Sequence, residues 1–261
     1  MAFRPIETVE RALFILECFR ADEPELSITD ISTRLGIAKG TVYRFLATLA
    51  AKGYVEQDSV SKRYRLGLKV MELGRMVEAG LDVRQRALSY LHKLSEETGE
   101  NVNLAVLSGA EIVYLERIVS RQFLTMSLRV GSHLPAQVSS MGKAIMAYLP
   151  EDAREEILRS VKYEALTARS ITAPEALRAE LSAVAQRGYA LNDEELTLGL
   201  RTVAAPVFRH GGEVIAAVNV SGPTARMTDA KIGEVVIPAL LRRAADISRA
   251  MGADLSRPTK A

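Results

Sequence analysis

Ser140 and Lys143 lie in Ser140-Met141-Gly142-Lys143, the Ser-x-x-Lys spacing in which a lysine can activate a serine for acyl transfer. Two residues make a short pattern, and the Lys-Thr-Gly companion of such enzymes is absent. Asp193-Glu194-Glu195 offers carboxylates to a metal, but His92, His133 and His210 are scattered, with no close pair of ligands among them. An acidic trio of this kind is more often solvated or caps a helix start. Cys18 is the single cysteine, which excludes an internal disulfide and a cysteine-cluster zinc site. Among Ala12, Leu13, Ile15 and Leu16 it reads as a small packed side chain. No glycine loop for nucleotide phosphates occurs. No metal and no cofactor are expected, and a serine acyl hydrolase built on Ser140 and Lys143 stands as the alternative to a binding protein.

Charge sorting points to binding. The net charge of +2 is too small to imply a nucleic-acid partner, so its distribution has to decide. Between Ile31 and Leu66 the bases are Arg34, Lys39, Arg44, Lys52, Lys62, Arg63 and Arg65, against only Glu56 and Asp58. Upstream, Glu7, Glu10, Glu17, Asp22, Glu23, Glu25 and Asp30 crowd together. A surface that neutralises phosphates gathers its positive charge on the elements that face them.

Those elements follow from periodicity. A first helix is expected from Thr8, its N-cap, to Arg20, burying Val9, Leu13 and Leu16. A second follows Ser27–Thr29 with Ile28, Ile31 and Leu35 inward, and Gly36 ends it. A third spans Lys39–Lys52 over Val42, Leu46 and Leu49, with Phe45 alongside. Gly36 can take the left-handed backbone of a tight turn, and Ile37 plugs the corner. Residues 54–58 and 62–66 read as a hairpin. Helix, helix, turn, helix, hairpin is the order of a winged helix-turn-helix. Its third helix would present Lys39, Thr41, Tyr43 and Arg44 to double-stranded DNA. Arg44 suits a guanine edge, Thr41 a base or a phosphate, and Tyr43 a phosphate. Lys62, Arg63 and Arg65 would set the wing against phosphates or a minor groove.

A length of 261 residues, 48% of them hydrophobic, allows two modest domains with cores that need no metal. The expected division is a winged helix-turn-helix at 1–67, a linker helix at 68–81 and a larger domain at 82–255. The linker helix, with Leu68, Met71, Leu73 and Met76, is too short and apolar to stand alone, so a packed neighbour, such as its copy in a dimer, is expected. In the larger domain a helix to Thr98 precedes strands at 101–107, 112–118 and 123–129, with 131–135 as a loop. Helices are expected at 140–149, 151–161 and 174–187, strands at 202–208 and 214–221, and a long helix at 229–251. Antiparallel strands with grouped helices suggest an α+β effector-binding domain of the GAF or PAS kind. No stretch reaches the roughly 20 apolar residues of a membrane span, and the start lacks an apolar signal core, so a cytoplasmic protein without membrane contact is expected.

Beyond these patterns, Val9-Glu10-Arg11-Ala12-Leu13 and the run from Leu35 to Arg44 resemble the DNA-binding half of the IclR family of bacterial transcription regulators. Gly188-Tyr189-Ala190, Asp193-Glu194-Glu195, Leu198-Gly199-Leu200-Arg201, Ala204-Ala205-Pro206-Val207 and Val220-Ser221-Gly222-Pro223 resemble its effector half. The segment Val130–Ala136 and Ser139–Ala144 are also similar to the branch that controls aromatic-acid catabolism. The resemblance implies a ligand-responsive repressor or activator of catabolic genes. It would work as a homodimer or dimer of dimers on a palindromic or repeated operator, with a small organic acid, aromatic in that branch, as effector. It also implies a pocket with Phe123, Met126 and Leu134 as its apolar wall and the helix start at Ser140 and Met141 beside the ligand. Asn192, Thr202, Asn219 and Ser221 would be its polar contacts. A free helix N-terminus suits a carboxylate, and apolar walls with a few polar groups suit a small ligand. Two positions depart from the family pattern. Ala38 stands where many members carry a capping hydroxyl, and Asn192 and Thr202 stand where some carry an acid and a cysteine. A DNA-binding scaffold whose second domain only oligomerises is the remaining alternative.

Overall fold

A computed structural model describes residues 6–20, 22–80, 82–120 and 129–255, with the side chains of all of these but 75–80 and 82. The chain divides after Leu81 into two compact units.

The first unit is built on α1 (Glu7–Glu17), α2 (Ile28–Leu35), α3 (Lys39–Ala51), a hairpin of β1 (Val55–Gln57) and β2 (Tyr64–Leu66), and α4 (Leu68–Gly80). Ser27 and Asp30 start α2 with a reciprocal cap: the Asp30 N–H donates to Ser27 Oγ at 3.2 Å, and the Ser27 N–H donates to Asp30 Oδ2 at 2.8 Å. Gly36 ends it at φ 65°, the left-handed conformation the turn requires. Ile15, Leu26, Ile31, Val42, Leu46, Val55 and Tyr64 form the core, with Ile37 packed at its edge.

Helix α1 departs from expectation. Ile6, not Thr8, precedes its first turn, with no side-chain cap. Val9 and Leu13, expected inside, are 53% and 52% exposed, whereas Ile15 and Cys18 are buried. The helix carries two apolar stripes. Helical periodicity locates both but cannot tell which one meets the core.

The second unit runs α5 (Asp82–Thr98), β3 (Asn101–Ser108), β4 (Glu111–Ile118), β5 (His133–Pro135), a 3-10 turn (Ala136–Val138), α6 (Ser140–Met146), α7 (Glu151–Ser160) and α8 (Pro174–Arg187). It continues with β6 (Ala190–Asp193), β7 (Leu200–Phe208), β8 (Val214–Pro223), α9 (Asp229–Lys231), a π-helical segment (Ile232–Val236) and α10 (Ile237–Ala250). Among the described residues the strands form one antiparallel sheet in the order β5-β4-β3-β8-β7-β6. Helices α5 and α10 contact each other and the sheet, and α6 contacts β3, β4, β6, β7 and β8. Val102, Leu104, Val203, Val218 and Val220 are buried on one face. On the other, Ala105, Ala190, Ala204 and Ala217 share a core with Met141, Ala144 and Leu181. These alanines leave room for α6. A Cβ on Gly142 would stand 2.1 Å from the Ala136 carbonyl oxygen, so only glycine lets α6 fold back onto the turn before it.

Residues 133–135, expected as loop, pair with β4, because Ile112 and Leu134 meet across the register. Strand β6 had no clear signal: it is four residues long and pairs only at the sheet edge. The strand expected at 123–129 lies almost wholly outside the described residues.

Candidate functional site

The residues that could hold a ligand come together through strand register. Asn192, Thr202, Ser221 and Asn101 are successive partners across β6, β7, β8 and β3. Two positions along, Ala204, Asn219, Asn103 and Arg117 form the next row, and Pro206, Ala217, Ala105 and Tyr114 the third. Side chains alternate between sheet faces, so these rows share the face that carries α6. The face grades from amide and hydroxyl groups at one end to alanine and tyrosine at the other.

A cavity of about 200 Å³ opens over the polar end. Its lining includes Leu134, Ser140, Asn192, Thr202, Asn219 and Ser221, all expected from the sequence. Asn101, Asn103, Tyr114, Arg117 and the 196–200 loop also line it and were not expected. Phe123 and Met126 lie outside the described residues. The Met141 side chain does not line the cavity; it is fully buried against Ala144 and Ile145 in the core, so only its backbone can serve a ligand there.

The cavity's polar groups are held by one another. Ser140 Oγ and Thr202 Oγ1 are 2.6 Å apart, tying α6 to β7. Asn192 Nδ2 donates to the Val138 carbonyl, and Asn192 Oδ1 accepts from the Glu195 N–H. Asn103 Nδ2 donates to Asn219 Oδ1 at 2.8 Å. Burial pushes the Tyr114 phenol up to about 12, so it remains a neutral donor at physiological pH. At α6 itself, Ser139 Oγ accepts from the Gly142 N–H, which reduces the open donors foreseen at that helix start.

Lys143 is fully buried and donates to the Leu191 carbonyl at 2.8 Å and to Glu195 Oε1 at 2.6 Å. Burial raises the Glu195 carboxyl above its ordinary range, against the pull of the lysine. Ser140 and Lys143 thus turn to different partners, and the acyl-transfer pair suggested by their spacing is not assembled. The acidic trio is equally committed. Asp193 pairs with Arg169 and Arg201, and Glu194 Oε2 accepts from the Gly199 N–H. Outside the cavity's lining, Glu100 is fully buried next to Gly222 and beside Arg226 and Lys231. Burial raises its carboxyl, but the two cations outweigh that and hold it below the ordinary 4.5.

On the first unit, Lys39, Tyr43 and Arg44 are exposed on α3 and Thr41 is half-buried. Ala38 gives α3 no side-chain cap. Lys62 sits at the hairpin turn with φ 58°. Lys39, Arg44 and Lys62 make no ion pair among the described residues. Of the other bases in the charge count, Arg34, Arg63 and Arg65 are engaged within the chain. Arg34 binds Glu23 and the Cys18 carbonyl. Arg63 donates to the Glu25 carbonyl at 2.8 Å and approaches Asp30, and Arg65 pairs with Glu56.

A winged helix-turn-helix followed by an α+β unit with a polar cavity defines a class of DNA-binding transcription regulators. The model of the bacterial transcriptional regulator IclR C-terminal domain matches residues 76–249, and that of the IclR helix-turn-helix domain matches residues 8–59. The chain belongs to the IclR family. It is 39% identical to the HTH-type transcriptional regulator XynR of Escherichia coli (strain K12), over 87% of this chain and 90% of that one. A putative transcriptional regulator from Rhodococcus sp. RHA1 superposes with a TM-score of 0.82 at 33% identity, covering 95% of this chain and 99% of that one. An IclR homologue from Microbacterium hydrocarbonoxydans, solved in complex with 4-hydroxybenzoate, has a TM-score of 0.82 at 26% identity, over 95% and 100% of the two chains. Among the described residues no helix is long and apolar enough to cross a membrane.

Proposed function

We propose that this regulator responds to a small organic acid and controls catabolic genes. Residues 1–67 would bind a double-stranded operator, 68–81 form a linker helix, and 82–255 bind the effector and assemble a homodimer or dimer of dimers. The observation that carries the reading is the cavity: amides and hydroxyls from four strands converge on a partly enclosed space over the sheet. Leu134, Ser140, Asn192, Thr202, Asn219 and Ser221 are the effector contacts in this reading, with the Met141 backbone beside them; Phe123 and Met126 join them on the family resemblance. The 4-hydroxybenzoate held by the Microbacterium homologue supports an acid and makes an aromatic one a candidate.

On the DNA side, Lys39, Thr41, Tyr43 and Arg44 would enter the major groove, and Lys62, Arg63 and Arg65 would meet phosphates. Arg63 and Arg65 would contribute less, because they already serve Glu25, Asp30 and Glu56. A DNA phosphate at the start of α3 would satisfy the end that Ala38 leaves uncapped. Self-association is supported by apolar side chains left in water on α4, where Leu68 is 67% and Met71 51% exposed.

The test is capture of an operator from a random-sequence pool, followed by titration with aromatic and short aliphatic acids. The expected result is an acid that raises the thermal midpoint and changes operator affinity. Acids that leave both unchanged would favour a scaffold whose second unit only oligomerises.

A further inference from the structure

Asn103 on β3 and Asn219 on β8 stand directly across from each other in register, and both line the cavity. They are 5% and 3% exposed. One hydrogen bond joins them, from Asn103 Nδ2 to Asn219 Oδ1 at 2.8 Å. The outer halves of the two amides are left over. Asn103 Oδ1 is buried without a hydrogen-bond partner. Among the described residues nothing accepts from Asn219 Nδ2. An amide brings an acceptor oxygen and a donor nitrogen, and burying either unpaired is unfavourable. Turning both amides over exchanges acceptor and donor between the two residues, so the pair keeps one of each whichever way it lies. On its other flank Asn103 meets Arg117, which a bulge at Leu115 turns to this face. Two positions along the strands, Asn101 and Ser221 lie to one side, and Ala105 and Ala217, packed in the core with α6, lie to the other. The amide pair thus stands where the polar floor gives way to packed alanine, and a ligand in the cavity is placed to supply what it lacks.

We propose that Asn103, paired with Asn219, sets specificity in this cavity by reading a hydroxyl, so that the effector is an acid carrying an alcohol or phenol group. A hydroxyl donates one hydrogen and accepts through its lone pairs, so it can serve Asn103 Oδ1 and Asn219 Nδ2 together. An ether or a ketone only accepts and leaves Oδ1 empty. An ammonium only donates, and the described lining residues include no carboxylate to balance its charge. A bare hydrocarbon satisfies neither amide. A site built to bond a hydroxyl rejects the analogue that lacks it, because its own polar groups are then left unpaired. Cβ atoms of directly opposed strand residues lie roughly 5 Å apart, which puts both amides within reach of one small group. The assignment rests on reading the cavity as the effector site.

The experiment is calorimetric titration of the full chain with probes that differ at one group. The aromatic series is 4-hydroxybenzoate, benzoate and 4-methoxybenzoate, and the aliphatic series is 3-hydroxybutyrate, butyrate and 3-methoxybutyrate. In the series that fits, the hydroxy acid binds tightest, and its deoxy partner and its ether each bind roughly five- to ten-fold weaker. Asn103→Ala brings the hydroxy-to-deoxy ratio close to one, while the deoxy acid binds as before. General loosening of the fold would weaken both acids alike and leave their ratio in place, and retained operator binding checks the first unit. Should Asn103→Ala fail to fold, the ratios in the unsubstituted chain still decide. Asn103→Ser, too short to serve Asn219 and the ligand at once, then lowers the hydroxy-to-deoxy ratio in its place. Equal binding of hydroxy and deoxy acids, ethers that bind as tightly as hydroxy acids, or a ratio untouched by the substitution would overturn the assignment and leave the acid-sensing reading standing. Binding by no probe in either series overturns the assignment and counts against the acid-sensing reading as well.

Discussion

On α3, Lys39, Tyr43 and Arg44 stand in water, the two bases without ion pairs among the described residues, whereas in the cavity Ser140, Thr202, Asn192, Asn103 and Asn219 are buried and bonded to one another or to backbone. One polar surface waits for a partner that brings its own dense charge. The other is largely satisfied in advance, with few vacancies left to define what enters. Rigidity is consequently demanded of the second region and not of the first, so the two should respond very differently to single substitutions.

The largest effect is expected where the buried region depends on a charge pair. Lys143→Met should lower stability by about 3–5 kcal/mol in denaturant titration, because it leaves the buried Glu195 carboxyl without its partner. Adding Glu195→Leu should recover most of that loss. A single variant as stable as the parent would show that the pair does not organise the cavity wall. The same unit should lose stability in acid. The folded Glu100 carboxyl lies below its ordinary 4.5, so its contribution is complete above that value and is lost as the pH falls through the depressed one. In an acid titration of the Arg226→Met chain the loss should begin at higher pH.

Next in size, Arg44→Ala should weaken operator binding by about 1–3 kcal/mol without moving the thermal midpoint, since its side chain makes no ion pair among the described residues. Unchanged affinity would move the recognition surface elsewhere. Ser27→Ala should remove about 1 kcal/mol from the first unit alone, through its reciprocal cap with Asp30. The smallest effect separates bases of the wing. Lys62→Ala should reduce the salt dependence of operator binding by about one ion, and Arg65→Ala by less, because Arg65 is held by Glu56.

The same contrast governs how much of the molecule is legible in its amino-acid sequence. The surface proposed to face DNA lies on one helix and one hairpin, so local periodicity and charge are enough to nominate Lys39, Tyr43, Arg44 and Lys62. Even there periodicity fails at α1, where two apolar stripes compete and the core takes Ile15 and Cys18. The cavity is made by register across four strands from distant parts of the chain, and no local pattern encodes register. Six of its residues are reached through family resemblance. Asn101 and Asn103 carry a readable signal, polar side chains two apart at the start of a strand that is apolar from Leu104 to Leu107. Arg117 carries none, since its orientation depends on the bulge at Leu115.

Coupling between the cavity and the proposed operator surface can be read from operator titration in the absence and presence of a saturating acid that binds the cavity. The expected change in operator affinity is roughly five- to 150-fold, lost in Asn219→Ala while operator binding without acid is retained. Equal operator affinity with and without the bound acid would contradict it.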